Sequence, residues 1–241
     1  AEQIGHEISL RQQSEETRKK LILDISHDLK NPLAAVLGYS ELCMKKQDFI
    51  DDDMKTYFHI IHENSLRANR LLNNLFELSK LESAAFALHK NREELCEYVR
   101  ETMSAYLPVL DDAGFTYRFD IPEQEIFVML DREQMNRVFA NLLDNALKFN
   151  GKGTEISVGV RRDASQALIL FADNGVGIPA DSAGNIFSPF IRSDASRNPK
   201  TGGTGLGLSI VKMIVHKHDG DISLKTERHE GCAFEIRIPA V

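Results

Sequence analysis

The sequence predicts a multidomain chain in which an α-helical hairpin, dimerising into a four-helix bundle, is followed by an α+β two-layer sandwich. Three observations lead there. Glycine and proline are scarce in residues 1–85 and concentrated in 86–241. Apolar residues in the first part recur at three and four positions, the period of one helix face. The second part sets strand-like runs beside separate helical stretches, which indicates layered α+β structure rather than a doubly wound parallel sheet.

Ile22, Ile25, Leu29, Leu33 and Val36 form the first helical stripe. After the acidic break Asp48–Asp53, Phe58, Ile61, Ala68, Leu72, Leu75, Leu78 and Leu81 form the second. Two helices alone leave these stripes uncovered, so the hairpin is expected to pair with a second copy. The compositional boundary, Ala84–Asn91, divides the chain into 1–85 and 86–241. Beyond it the pattern predicts helix over Glu93–Ala105 and strands over Phe115–Ile121 and Ile126–Leu130. Helix Arg132–Phe149 follows, with Asp131 as N-cap. Strands Glu155–Arg161 and Ala167–Ala172, helix Leu206–His218, and a closing hairpin of Ile222–Thr226 with Ala233–Ile238 complete the second part. Over half of Asp181–Thr204 is Gly, Pro, Ser, Asn or Thr, the composition of a loop covering a site.

The 241 residues carry 29 Lys+Arg against 36 Asp+Glu, a net charge of −7. That balance argues against nucleic acid as a partner, since neutralising phosphates needs a basic surface. A hydrophobic fraction of 42% is too high for a disordered chain. The longest apolar run, Ala167–Ala172, is far too short to span a bilayer, and no signal segment opens the chain. A soluble segment without membrane contact of its own is expected. Three dispersed cysteines with no CxxC pair fit a reducing, cytoplasmic compartment. An opening Ala in place of Met, running at once into polar helical sequence, points to a portion of a longer protein, which could be membrane-anchored.

Several short motifs carry chemistry. His27 lies in Ser26–Pro32 (SHDLKNP), on the helix face opposite the apolar stripe. Asp28 can accept a hydrogen bond from one ring nitrogen and leave the other nucleophilic. Asn31, one turn on, projects to the same side as His27. Pro32 inside a helix removes a backbone donor at a cost of about 3 kcal/mol, and a bend there would let the histidine move between partners. Asn141 and Asn145 put two amide oxygens on one face, which suits a hard cation, and Lys148 lies three residues beyond Asn145. Asp173 ends a strand and can accept from an amine such as adenine's, while Gly175 and Gly177 let backbone approach a flat ring. Gly203, Thr204, Gly205, Leu206 and Gly207 precede a helix whose N-terminus can hold phosphates.

Together SHDLKNP, NLLDNALKF, DNGVGIP, FSPF and GGTGLGLSIVK, in that order, resemble the catalytic core of the sensor histidine kinases of two-component systems. The resemblance runs from about Leu21 onward and implies a dimerisation and histidine-phosphotransfer hairpin before a GHKL-type ATP-binding domain. It implies ATP and Mg²⁺ as cofactors, a homodimer, and a response regulator receiver domain as partner. By it His27 is the phosphoacceptor, Asp28 its activator, and Asn31 the residue that positions water when the regulator is dephosphorylated. Asn145 corresponds to the Mg²⁺ ligand, with Asn141 and Lys148 at the phosphates. Asp173 corresponds to the adenine reader, framed by Gly175 and Gly177, and Arg192 to an arginine that stabilises the transferring γ-phosphoryl. Gly203, Gly205 and Gly207 correspond to the closing glycines of the lid, and both this lid and Ala84–Asn91 are expected to move. A GHKL-type ATPase and a non-catalytic dimer module are the competing readings. The first lacks the family's glutamate base, with Asn141 in its place; the intact Asn145, Asp173 and glycines oppose the second.

Overall fold

The computed structural model describes residues 25, 28–29, 31–36, 38–39, 42, 52–83, 86–191, 204–227 and 231–241. The chain divides into two compact units, Ala1–Phe76 and Glu77–Val241. In the first, the described residues between 25 and 42 are helical (α1), and α2 spans Asp52–Glu82, whose last turn and a half enters the second unit. The rings of Tyr39 and Tyr57 join α1 to α2 with centroids 5.6 Å apart. The second apolar stripe divides in two. Its Ala68, Leu78 and Leu81 are buried, whereas its Phe58 and Leu72 are exposed, as are Leu66 and Phe76 of the same helix and Leu33 of α1. One hairpin can cover only one flank of each helix.

The second unit runs β1 (Asn91–Glu94), α3 (Leu95–Ala113), β2 (Thr116–Asp120), β3 (Phe127–Leu130), α4 (Arg132–Phe149), β4 (Glu155–Asp163) and β5 (Gln166–Asp173). The short α5 (Ala180–Ala183), α6 (Gly207–Lys217), β6 (Asp221–Glu227) and β7 (Gly231–Pro239) complete it. Five strands form a mixed sheet, β2-β4-β5-β7-β6, in which only the β2–β4 pair is parallel. Antiparallel β1 and β3 form a separate two-stranded sheet. Val99, Met103, Val138, Phe139, Ile169, Phe171, Ile214 and Ile236 are among the fully buried residues of this unit. Among the described residues no helix is long and apolar enough to cross a membrane.

Two elements depart from the pattern read in the sequence. Residues 91–94 are a strand, and helix begins at Leu95 because the Glu94 side chain accepts from the N–H groups of Cys96 and Glu97 while also accepting from Ile126 N at 3.0 Å. The same helix continues past Ala105, through Pro108, to a left-handed cap at Gly114 with φ 72°. Its buried face, ending in Leu110, overrides the single backbone bond that proline removes.

Asp131 is the hub of the second unit. One carboxylate oxygen caps α4 by accepting from Gln134 N at 3.1 Å, and the other accepts from His89 N at 2.9 Å. Its own N–H donates to Nε2 of buried His218 at 3.0 Å, and His218 Nδ1 donates to Ile214 O at 2.8 Å. Of the segment read as a hinge, the described residues 86–91 are therefore fastened to this unit. Lys217 donates to Phe86 O at 3.1 Å, Lys80 and Lys217 both approach the Phe86 ring, and Lys90 pairs with Asp219 at 2.7 Å. Glu77, near the end of α2, pairs with Arg137 of α4.

With both ring nitrogens engaged, His218 is neutral, and burial holds its pKa below the ordinary histidine value, with Lys90 adding to the depression. A folded pKa below the unfolded one means that protonation favours unfolding. The stabilisation is complete above about pH 6.5 and is lost as pH falls toward the folded value. Unfolding free energy is expected to decline from pH 7 to pH 5. Urea titrations of His218→Gln, which cannot acquire that charge, should show a shallower decline.

Candidate functional site

The sheet ends and two helices bring most of the described candidate residues into two clusters. α4, capped by Asp131, carries Asn141, Asn145 and Lys148 along one stripe, all half-buried. The Asn141 side-chain nitrogen donates to Arg137 O at 2.8 Å, which turns its oxygen toward the glycine turn before α6. A Cβ on Gly207 would lie 2.7 Å from that oxygen, so a larger residue here would displace the Asn141 carboxamide. Gly205 has φ 70°, and its carbonyl accepts from Phe190 N at 2.9 Å, tying the FSPF segment to the turn. Thr204 Oγ1 accepts from Leu206 N at 3.3 Å, and buried Leu206 precedes the first turn of α6.

The second cluster surrounds Asp173, the last residue of β5. Its Oδ1 accepts from Gly175 N at 2.9 Å and from the Asn150 side-chain nitrogen at 3.1 Å. Burial pushes the carboxyl above the usual carboxylate range, opposed by hydrogen bonds from Gly175 N–H, Asn150 and Cys232 N–H. Asn150, the C-cap of α4, also accepts from Val176 N at 3.0 Å. Gly175 is required for a reason beyond ring access: a Cβ there would collide with the Asn150 carboxamide. Gly177, at φ 66°, does need glycine's freedom. Ile178 N, just beyond it, donates to Thr226 Oγ1 at 2.8 Å.

Asp173, Ala172, Lys225, Thr226, Gly231, Cys232 and Ala233 line a cleft at the ends of β5, β6 and β7. Burial pushes the Cys232 thiol up to about 11, with the Asp173 charge adding to the shift, so this sulfur is protonated at neutral pH. Sequence reasoning missed Asn150, Thr226 and Cys232. An asparagine after a helix reads as an ordinary cap, and nothing local in a strand's threonine or cysteine shows what lies across the sheet.

Asp28, half-buried, and Asn31, exposed, both lie on α1. His27, Arg192 and Gly203 lie outside the described residues. Among the described residues no three of His, Cys, Asp and Glu converge to hold a metal. The oxygen donors of the Asn141–Asn145 stripe are carboxamides, which suit an Mg²⁺ ion that keeps waters and arrives bound to phosphates.

Residues 17–84 match the family model of the His Kinase A (phospho-acceptor) domain, and residues 130–241 match that of the histidine kinase-, DNA gyrase B- and HSP90-like ATPase. Sensor protein SrrB of Staphylococcus aureus (strain MRSA252) is 29% identical over 225 residues, which is 93% of this chain but 38% of that protein. The chain thus spans well under half the length of such relatives. The histidine kinase AdeS of Acinetobacter baumannii superposes with a TM-score of 0.69 at 21% identity, over 88% of this chain and 97% of that one. Histidine kinase ThkA, in a crystal structure with response regulator protein TrrA, superposes with a TM-score of 0.72 at 23% identity, over 98% of this chain and 67% of that one. At those identities the two structures establish the fold.

Proposed function

We propose, for a chain that belongs to the sensor histidine kinases of two-component systems and carries their catalytic core, that it phosphorylates itself on His27 from ATP and passes the phosphoryl group to an aspartate of a separate response regulator. One observation carries the nucleotide half of this reading. Along α4, Asn141 meets the glycine turn and Asn150 meets the anchored carboxylate of Asp173. At 1.5 Å per residue these points are about 13 Å apart, the span of a base, a ribose and a run of phosphates.

In this reading Asp173 accepts from the exocyclic amine of adenine, with Gly175 and Gly177 at the edge of the base. Asn141 and Lys148 serve the phosphates, Asn145 would hold Mg²⁺, and Gly203–Gly207 closes over them. When bound, Mg²⁺ supplies charge neutralisation at the phosphates. The unprotonated nitrogen of neutral His27 attacks the γ-phosphorus while the bond to the bridging oxygen breaks, and ADP leaves with that electron pair. Asp28 holds the other ring N–H, which carries the proton the phosphohistidine can shed. Arg192 neutralises charge on the transferring group. The exposed Phe58, Leu66, Leu72 and Phe76 of α2 support a homodimer, since covering what each still shows to water would contribute a part of the about 1.5–3 kcal/mol that complete burial of such a side chain gives. The segment is assigned to the cytoplasmic side of a sensor.

The test is incubation with γ-labelled ATP and Mg²⁺. Protein-bound label that is acid-labile and alkali-stable is the expected result. ATP hydrolysis without protein-bound label would overturn the reading in favour of an ATPase.

A phosphatase activity toward the regulator belongs to the same proposal, resting on Asn31, which is exposed on α1. Asn31→Ala is expected to slow regulator dephosphorylation about tenfold or more, as loss of one oriented water contact does, while leaving autophosphorylation within twofold (roughly). Release of labelled phosphate from a phosphorylated regulator, measured beside self-labelling, checks it; equal loss of both would remove that division of labour.

A further inference from the structure

The proposed base-reading carboxylate does not stand alone. Asp173 sits at the end of β5, and two donors converge on its Oδ1: Gly175 N from its own turn, and the side chain of Asn150 from the end of α4. Two bonds to one oxygen fix both the rotation of the carboxylate and the direction in which its remaining lone pairs face. Asn150 is itself tightly specified. Its N–H closes α4 by donating to Ala146 O at 3.1 Å, and its side-chain oxygen accepts from Val176 N at 3.0 Å. Its carboxamide fills the space that a side chain at residue 175 would need. Both ends of the Asn150 amide are therefore used, one on the carboxylate and the other on the turn that follows it.

We infer that Asn150 is a positioning residue for base recognition, setting the orientation and the ionisation of Asp173 from the same helix that carries Asn145 and Lys148. This deepens the reading of Asp173 as the adenine acceptor and rests on it. The chemistry is specific to the donor. An N–H aimed at Oδ1 favours the ionised carboxylate, the form able to accept from an amine, and opposes the upward push of burial. The oxygen of the same amide acts only on the turn. A side chain of the same shape with a second acceptor in place of the donor would keep the turn and reverse the effect on Asp173.

The experiment is equilibrium binding of ATP and of inosine triphosphate, which lacks the amine, to the whole chain from pH 5.5 to 8, by calorimetry. Wild type is expected to prefer ATP. In Asn150→Ala that preference should fall about tenfold, with inosine triphosphate affinity changed much less and the acid loss of ATP affinity moved to higher pH. Asn150→Asp is isosteric and keeps the acceptor for Val176 N–H, which guards against an alanine variant that fails to fold. It should lose ATP preference at neutral pH and regain part of it on acidification, as one carboxyl of the pair takes up a proton and becomes a donor. A purely structural role for Asn150 would produce no such reversal. Wild type that binds both nucleotides equally overturns the reading of Asp173 and this assignment with it. Wild type that discriminates, with both variants discriminating equally well at every pH, overturns the assignment of Asn150 alone.

Discussion

His27→Gln is expected to reduce self-labelling from γ-labelled ATP to background while ATP affinity stays within about twofold. The expectation follows from the separation of roles. His27 lies in the residues that match the phospho-acceptor family model, whereas Asn141, Asn145, Lys148 and Asp173 lie in those that match the ATPase. Glutamine keeps the size and polarity of the side chain but offers no nitrogen lone pair, because its amide nitrogen is delocalised into the carbonyl. Loss of the nucleophile therefore leaves no lesser version of the same chemistry. A neighbouring residue taking the label would show as residual, acid-stable phosphate. Measured together, labelling and binding separate a missing acceptor from a missing nucleotide site, and loss of both would point to misfolding.

Asp173→Asn is expected to do the reverse, weakening ATP binding about 100-fold or more and abolishing labelling as a consequence. The amide would turn its oxygen toward the two donors already converging on Oδ1, the Gly175 N–H and the Asn150 side chain. Its NH₂ would then replace a lone-pair oxygen, placing a donor where the amine of adenine also brings a donor. Stability should move the other way. Burial raises the Asp173 pKa, and the neutral amide relieves the cost of the buried charge, less what is lost where its NH₂ meets the Cys232 N–H. Calorimetric binding and thermal unfolding of one preparation read both effects. In wild type the same raised pKa implies that ATP affinity declines on acidification before an ordinary carboxylate would titrate.

The elements with strong local signals were legible in the sequence. α4 is delimited by its cap and its apolar period, and β6 and β7 by their strand-like runs Ile222–Thr226 and Ala233–Ile238. α3 was not, because Pro108 is a strong local stop and only the burial of Leu110 beyond it explains why the helix continues. β1 was hidden for the complementary reason: four polar residues acquire strand geometry solely by pairing with β3. At the candidate site, charged and glycine positions were visible, and their supports were not. Gly175 was read as an opening for a ligand, whereas its vacancy is occupied by Asn150, twenty-five residues earlier in the chain. Such pairings are created by the sheet, and no window of sequence contains both partners.

The fastening of residues 86–91 has a mechanical consequence. Residues 86–91 are bonded within the same compact unit as the proposed nucleotide site. Along the chain the first anchor is Glu77 on Arg137 of α4, and Phe86 and His89 follow it, bonded to Lys217 and Asp131. One is the last residue of α6, which begins at the glycine turn, and the other is the cap of α4. The segment that joins α2 to β1 is thus bonded to the outer ends of two rods whose opposite ends face the proposed nucleotide.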